Sequence, residues 1–83
     1  MYQIKILPTA QKDLDNFPAK VFHAMESKIV ILADNPRPQG AIKLTADEGY
    51  RIRIGDYRIL YRIEDKSREV FIYRVKHRKN VYR

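Results

Sequence analysis

The sequence predicts an α+β domain in which an N-terminal strand and a helical hairpin pack on one face of a mainly antiparallel four-stranded sheet. Two observations lead to this prediction. Apolar residues recur at helical spacing in the first half of the chain, whereas the second half carries alternating, β-rich runs separated by short polar turns. The chain has 83 residues, which suits one domain, so we expect residues 1–83 to form a single unit.

The first half of the chain is predicted to form a strand and two helices. Residues 2–7 alternate and are rich in isoleucine, as in a strand, and Thr9 beyond Pro8 is a suitable N-cap for a short helix. Pro18 suits the first turn of a second helix, which should end near Asp34 because a cluster of helix breakers follows. The apolar residues at helical spacing are Ala10, Leu14, Phe17, Phe22, Met25, Ile29 and Leu32.

The second half is predicted to form three strands, over residues 50–54, 57–64 and 70–76. Gly55 and Asp56 separate the first two strands and fit a type II′ turn, which favours glycine at its first central position. A two-residue turn fixes the hairpin register, so we expect Arg53 to lie opposite Arg58.

The same turn determines which side chains share a face of the sheet, because side chains alternate along a strand. The predicted cationic face comprises Arg51, Arg53, Arg58, Leu60, Arg62, Ile72, Arg74 and Lys76. The predicted apolar face, for the helices to cover, comprises Tyr50, Ile52, Ile54, Tyr57, Ile59, Tyr61, Ile63, Phe71, Tyr73 and Val75.

Positive charge is concentrated in the second half of the chain. Residues 1–49 carry six Lys/Arg and six Asp/Glu, whereas residues 50–83 carry eleven against four, which accounts for the whole net charge of +7. Like charges directly opposite each other destabilise a sheet, and Arg53 opposite Arg58 would carry that cost. Solubility requires neither an almost purely cationic face nor one dominated by arginine. Arginine suits bidentate phosphate contacts, so we interpret the cationic face as a surface for a polyanion.

Composition excludes several classes of site. The chain has no cysteine, which rules out disulfides, thiolate nucleophiles and cysteine-ligated metals. We see no convincing metal-binding cluster and expect no cofactor. The longest apolar run covers residues 29–33, far short of the roughly 20 residues of a membrane helix, and no signal peptide is evident. We therefore expect a soluble cytoplasmic protein without a membrane partner.

The strings "GYRIRIGDYRILYRI" and "VKHRKNVYR", together with the order of elements, resemble the RelE/ParE superfamily of type II toxin–antitoxin toxins, and most closely its RelE-type branch. The resemblance implies a ribosome-dependent endonuclease that cleaves mRNA in the A site. It also implies a cognate antitoxin, with an acidic segment expected, and contact with operator DNA through the toxin–antitoxin complex.

The resemblance further implies the site residues. The basic pair of the family falls on Arg51 and Arg53, and its further positions fall on Arg58, Arg78 and Tyr82. The family prototype has lysines where this chain has the first two arginines, and the segment before Tyr82 is shorter here. The other cations predicted to bind RNA are Arg62, Arg74, Lys76 and Lys79.

Cleavage of RNA by its own 2′-hydroxyl needs a base, cations that stabilise the phosphorane, and an acid for the leaving 5′-oxygen. Guanidinium groups stay protonated, so the arginines suit the second task and not the first. We favour Tyr82 as the base, because nearby arginines can lower a tyrosine pKa from its usual value of about 10. His77 and Glu48 are the alternatives, although His77 is in phase with Val75 on the covered face.

Two other functions remain open from the sequence. One is a ParE-like toxin that inhibits gyrase without nuclease chemistry, and the other is a non-catalytic nucleic-acid-binding relative. Ribosome-dependent cleavage separates the endonuclease from both. Inhibition of supercoiling separates the gyrase inhibitor from the binding protein.

Overall fold

The protein, described from a computed structural model over residues 1–45 and 49–77, has two helices packed on a five-stranded sheet. The elements are β1 (Gln3–Ile6), α1 (Pro8–Asp15), α2 (Ala19–Asp34), β2 (Ile42–Lys43), β3 (Tyr50–Ile54), β4 (Tyr57–Glu64) and β5 (Glu69–His77). The strand order is β1-β5-β4-β3-β2, with β1 parallel to β5 and the other neighbours antiparallel. The predicted α+β class is confirmed, but the predicted count of four strands is wrong.

The additional strand is β2, which pairs with β3 through only two residues, Ile42 opposite Arg51 and Lys43 opposite Tyr50. A two-residue strand is too short to show an alternating pattern, so the sequence gives no signal for it. This strand forms the edge of the sheet next to the cationic residues of β3.

Neither helix has a side-chain cap at its N-terminus, and a proline lies at the start of each. Leu7 is the N-cap of α1 and Pro8 its first residue, so the prediction of Thr9 as the cap is wrong. Proline is favoured there because the first helical N–H has no partner within the helix. Pro18 is the N-cap of α2, and this helix ends at Asp34 as predicted. Within the described part of the chain, no helix is long and apolar enough to cross a membrane.

The helices cover one face of the sheet and bury the core there. Tyr61, on the central strand β4, is fully buried and belongs to this core. The core side chains are Ala10 and Leu14 from α1, Met25, Ile29 and Leu32 from α2, and Ile52, Ile59, Tyr61, Val70, Ile72 and Val75 from the sheet. The opposite face of the sheet is left for the cationic residues.

The register of the β3–β4 hairpin is confirmed at all five pairs, from Ile54 opposite Tyr57 to Tyr50 opposite Tyr61. Gly55 has a φ of +56°, as the first central residue of a type II′ turn requires. The turn therefore places Arg53 directly opposite Arg58.

The predicted faces of β5 are partly wrong, because this strand contains a bulge. Leu60 pairs with Arg74 and the next residue, Tyr61, pairs with Ile72, so Tyr73 is one residue in excess. The excess residue reverses the alternation on the N-terminal side of the bulge. Ile72 consequently lies in the core, and Phe71 lies opposite Arg62 on the cationic face.

A polar network fastens the loop after α2 to the sheet. The buried Tyr61 hydroxyl donates to the carbonyl oxygen of Pro36 at 2.8 Å, and burial raises the pKa of Tyr61 to about 12. Arg37 donates to both carboxylate oxygens of Asp65, at 3.2 and 2.9 Å, and the Tyr2 hydroxyl donates to the same carboxylate at 2.6 Å. These bonds hold the pKa of Asp65 below its usual value. The network positions the chain that leads into β2.

Candidate nucleic-acid interface

Three cations lie side by side across the middle of the uncovered face. Arg58 on β4 is opposite Arg53 on β3 and opposite Lys76 on β5. Cross-strand partners have Cα atoms only about 4.5–5.5 Å apart. Arg58 is 8% exposed, whereas Arg53 is exposed, so the central guanidinium lies beneath the surface of this row. We call Arg53, Arg58 and Lys76 the cationic row.

The cationic row borders a groove whose wall is the segment leading into and out of β2. Arg51, Arg53 and Arg58 line this groove together with Gly40 and Ile42. A second depression continues past Lys43 to Leu60 and Lys76, and its remaining lining residues are Ile42, Leu44, Thr45, Arg51 and Arg58. The pairing of Ile42 with Arg51 places this wall beside the arginines. The floor of the resulting cleft is lined mainly by cations, and its wall carries Ile42, Lys43, Leu44 and Thr45.

Such a groove is suited to hold a phosphodiester. Guanidinium groups donate paired hydrogen bonds to phosphate oxygens and carry a permanent charge. Donors fixed around a phosphorus atom stabilise the additional negative charge of a phosphorane. They cannot remove a proton, so a base has to come from another residue.

The other predicted RNA-binding arginines are placed differently. The Arg74 Nε and Nη2 atoms donate to the carboxylate of Asp13 at 2.9 and 3.2 Å, and the backbone N–H of Val75 donates to the same carboxylate at 2.9 Å. Arg74 thus joins β5 to α1. The guanidinium of Arg62 lies over the ring of Phe71, 5.4 Å from its centroid. RNA binding by these two residues stays a prediction.

His77 lies on the helix-covered face, as predicted. Its ring contacts Tyr57 edge-on at a centroid distance of 4.9 Å, and Tyr57 contacts Phe17 at the same distance. The groove is on the other side of the sheet. Four further predicted residues, Glu48, Arg78, Lys79 and Tyr82, lie outside the described residues, and their roles stay predictions.

Sequence reasoning missed the groove wall at residues 40–45 and the position of Phe71. The wall residues carry no charge pattern or alternation that marks them as part of a site. For Phe71 a signal was available: the β-branched aliphatic residues of β5 that reach the core are Val70, Ile72 and Val75. Their spacing of two and then three residues departs from strict alternation and indicates a bulge.

Comparison with known proteins gives a consistent assignment. Residues 4–82 match the family model described as the ParE toxin of the type II toxin–antitoxin system parDE. The chain is 33% identical to Toxin RelG of Mycobacterium tuberculosis, over 99% of this chain and 97% of that protein.

Solved structures of toxin–antitoxin complexes share the fold. The toxin–antitoxin complex RelBE2 of Mycobacterium tuberculosis contains a chain that is 31% identical, with a TM-score of 0.84 over 93% of this chain and 98% of that one. The archaeal RelE–RelB complex of Pyrococcus horikoshii contains a chain that is 30% identical, with a TM-score of 0.81 over 93% of this chain and 94% of that one. With its sequence, its helices on one face of the sheet and its cationic groove on the other, this chain belongs to the RelE/ParE superfamily of type II toxin–antitoxin toxins.

Proposed function

We propose that this toxin is a metal-independent endoribonuclease that cleaves mRNA in the A site of the ribosome. The observation that carries the proposal is that Arg51, Arg53 and Arg58 line one groove, with Lys76 in the depression that continues it. Cross-strand pairing places like charges directly opposite each other there, which destabilises a sheet. Similarity to RelG and to RelE chains supports the same activity. Phosphate groups of bound RNA would offset the repulsion within the row, which gives the exposed Arg53 and its neighbours a function.

In the proposed reaction, the 2′-hydroxyl oxygen of one nucleotide attacks the adjacent phosphorus, and the bond from phosphorus to the 5′-oxygen breaks. The products are a 2′,3′-cyclic phosphate and a 5′-hydroxyl. Arg51, Arg53 and Arg58 hold the phosphate and stabilise the charge that develops on it. Tyr82 takes the proton of the 2′-hydroxyl, and an acid or water returns a proton to the 5′-oxygen. The placement of His77 against Tyr57, across the sheet from the groove, favours Tyr82 over His77 as the base.

We further propose that a cognate antitoxin inhibits the toxin. The structures of RelBE2 and of the Pyrococcus horikoshii complex contain relatives of this chain together with their antitoxins. An acidic segment of the antitoxin would be complementary to the cationic face. Through this complex the toxin would also contact operator DNA.

The test is cleavage in a defined translating ribosome complex that carries end-labelled mRNA. The wild type should cut within the A-site codon, and Arg51→Ala, Arg78→Ala and Tyr82→Phe should each slow cleavage, by about 10²-fold or more for a lost phosphate donor. Arg68→Gln, in the β4–β5 turn, is the matched control and should cleave normally. A folded wild-type protein that leaves the mRNA intact would exclude the proposal.

The match to the ParE toxin model favours one second candidate, inhibition of gyrase without nuclease chemistry. A supercoiling assay on the same preparations distinguishes the two. Gyrase inhibition that survives Tyr82→Phe, without mRNA cleavage, would establish this second function.

A further inference from the structure

A second group of side chains on the cationic face combines an aromatic ring with two cations. Phe71 on β5 is opposite Arg62 on β4 and opposite Lys5 on β1. Cross-strand partners point to the same face of a sheet, so the three side chains form a row parallel to the cationic row. The guanidinium of Arg62 lies 5.4 Å from the centroid of the Phe71 ring. We call Lys5, Phe71 and Arg62 the aromatic row.

The bulge at Tyr73 is what places a phenylalanine here. With strict alternation Phe71 would be in the core and Ile72 outside; instead Ile72 is fully buried and Phe71 is only partly buried, opposite two cations. An aromatic ring on the helix-free face adds nothing to the helix-side core. A partly exposed ring beneath a guanidinium is, however, a flat surface of the kind on which unpaired bases stack.

The aromatic row lies on the same face as the groove and at a defined distance from it. Arg58 and Arg62 are four residues apart on β4, which at about 3.3 Å per residue is roughly 13 Å. A short extended stretch of single-stranded RNA spans this distance. Gly49 packs against Arg62, since a Cβ at this glycine would meet the Arg62 side chain and the Tyr61 carbonyl oxygen. The lack of a side chain at Gly49 therefore leaves room for the Arg62 stem.

Charge reverses immediately beyond the aromatic row. The next cross-strand pair on this face of β4 and β5, two residues along each strand, is Glu64 opposite Glu69, both acidic. A polyanion that runs from the cationic row along β4 would therefore be attracted as far as Lys5 and Arg62 and repelled beyond them. The acidic pair therefore marks the end of the RNA path along β4, and this path extends beyond the groove by the aromatic row.

We propose that the aromatic row is a stacking subsite for one unpaired nucleobase of the RNA, on the same face as the phosphate bound in the groove and roughly 13 Å from it. The base stacks on the Phe71–Arg62 pair, and the Lys5 ammonium contacts the adjoining phosphate. This proposal rests on the proposed ribonuclease function. It adds a second position that binds RNA but takes no part in the chemistry of cleavage. The base belongs either to mRNA beside the cleaved codon or to ribosomal RNA at the decoding site, which offer the same chemistry.

The test uses short single-stranded RNA that carries a 2′-O-methyl group at the scissile position and a single abasic site moved along the sequence. Removing the stacked base should weaken binding to the wild-type protein by about 5- to 150-fold at one position, the range for loss of one base–aromatic stack. Phe71→Leu, which keeps an apolar side chain, should bind intact RNA less tightly and lose sensitivity at that position. Arg62→Gln should behave similarly. Lys66→Gln, in the turn beyond the acidic pair, is the matched charge control and should retain the wild-type pattern.

Two further arms identify the source of the base. If it belongs to mRNA, an abasic site beside the cleaved codon should slow ribosome-dependent cleavage by the wild type but leave Phe71→Leu unaffected. If it belongs to ribosomal RNA, Phe71→Leu should bind ribosomes without mRNA more weakly, and the abasic mRNA should be cut normally. The proposal is overturned if Phe71→Leu matches the wild type in all three assays, or if only antitoxin binding changes. If mRNA is still cleaved normally in that case, the proposed function stands and only the subsite is rejected. If instead loss of one base weakens RNA binding in a Phe71-dependent way but no mRNA is cleaved, the proposed function is rejected and the subsite is retained.

Discussion

The repulsion between Arg53 and Arg58 provides a direct test of the reasoning about the cationic row. Arg53→Gln removes one member of a directly opposed like-charge pair. Such pairs destabilise a sheet by about 0.2–1 kcal/mol. For a domain of this size, that corresponds to an increase in melting temperature of roughly 1–8 °C. We therefore expect this variant to fold more stably while it cleaves RNA more slowly.

Arg51→Gln is the matched control, because it removes the same charge from the same strand and the same face. Arg51 is opposite Leu60 on one side and Ile42 on the other, both uncharged, so its loss relieves no directly opposed charge. Both variants lose a groove cation and should lose activity. Only Arg53→Gln should gain stability from the relief of direct opposition.

The assay is unfolding of both variants in urea, an uncharged denaturant, at two salt concentrations. The Debye length is about 30 Å at 0.01 M salt and about 3 Å at 1 M, so the difference between the variants should be largest at low salt and shrink at high salt. Equal stabilities in 0.01 M salt would refute the argument. A difference of the same size in 1 M salt would show that packing, and not charge, separates the variants.

Three further predictions concern the polar network and the loop into β3. Tyr61→Phe should cost about 1–2 kcal/mol in urea unfolding at pH 7, because it leaves a buried carbonyl without its donor. Burial raises the Tyr61 pKa to about 12, so the wild-type free energy of unfolding should fall between pH 10 and 12, and it should fall less in Tyr61→Phe. Parallel pH profiles of the two proteins would contradict the raised Tyr61 pKa. Asp65→Asn should be less stable than the wild type at pH 7, because the hydrogen bonds from Arg37 lower the Asp65 pKa and stabilise the charged form. The difference in stability should shrink as pH falls below the usual carboxyl pKa of 3.8 and vanish below the lowered pKa of the folded state; a difference that persists there would argue against this pairing. Gly49→Ala should lower the melting temperature more than Gly40→Ala, since both have positive φ but only a Cβ at Gly49 meets the neighbouring strand; equal losses would mean that backbone strain alone matters.

The sequence alone determined the β3–β4 hairpin and the character of its two faces. Gly55 and Asp56 define a two-residue turn, and local turn geometry together with a period of two leaves one register for the arginines. The charge imbalance between the halves of the chain is likewise a property of composition. These features depend on neighbours in sequence, which is why the cationic row and the family could be inferred without coordinates.

The tertiary structure decided the features that depend on contacts distant in sequence. The bulge at Tyr73 is a feature of the pairing of β5 with β4, and it places Phe71 on the cationic face rather than in the predicted core. The bond from Arg74 to Asp13 joins residues 61 positions apart, and it separates one predicted RNA-binding arginine from the groove. The two-residue strand β2 exists only because β3 provides its hydrogen-bonding partner. Local pattern and charge therefore predicted which residues form the cationic face. Long-range packing determined which of them share one groove, because the pairing partners of a strand are not encoded in the periodicity of its own sequence.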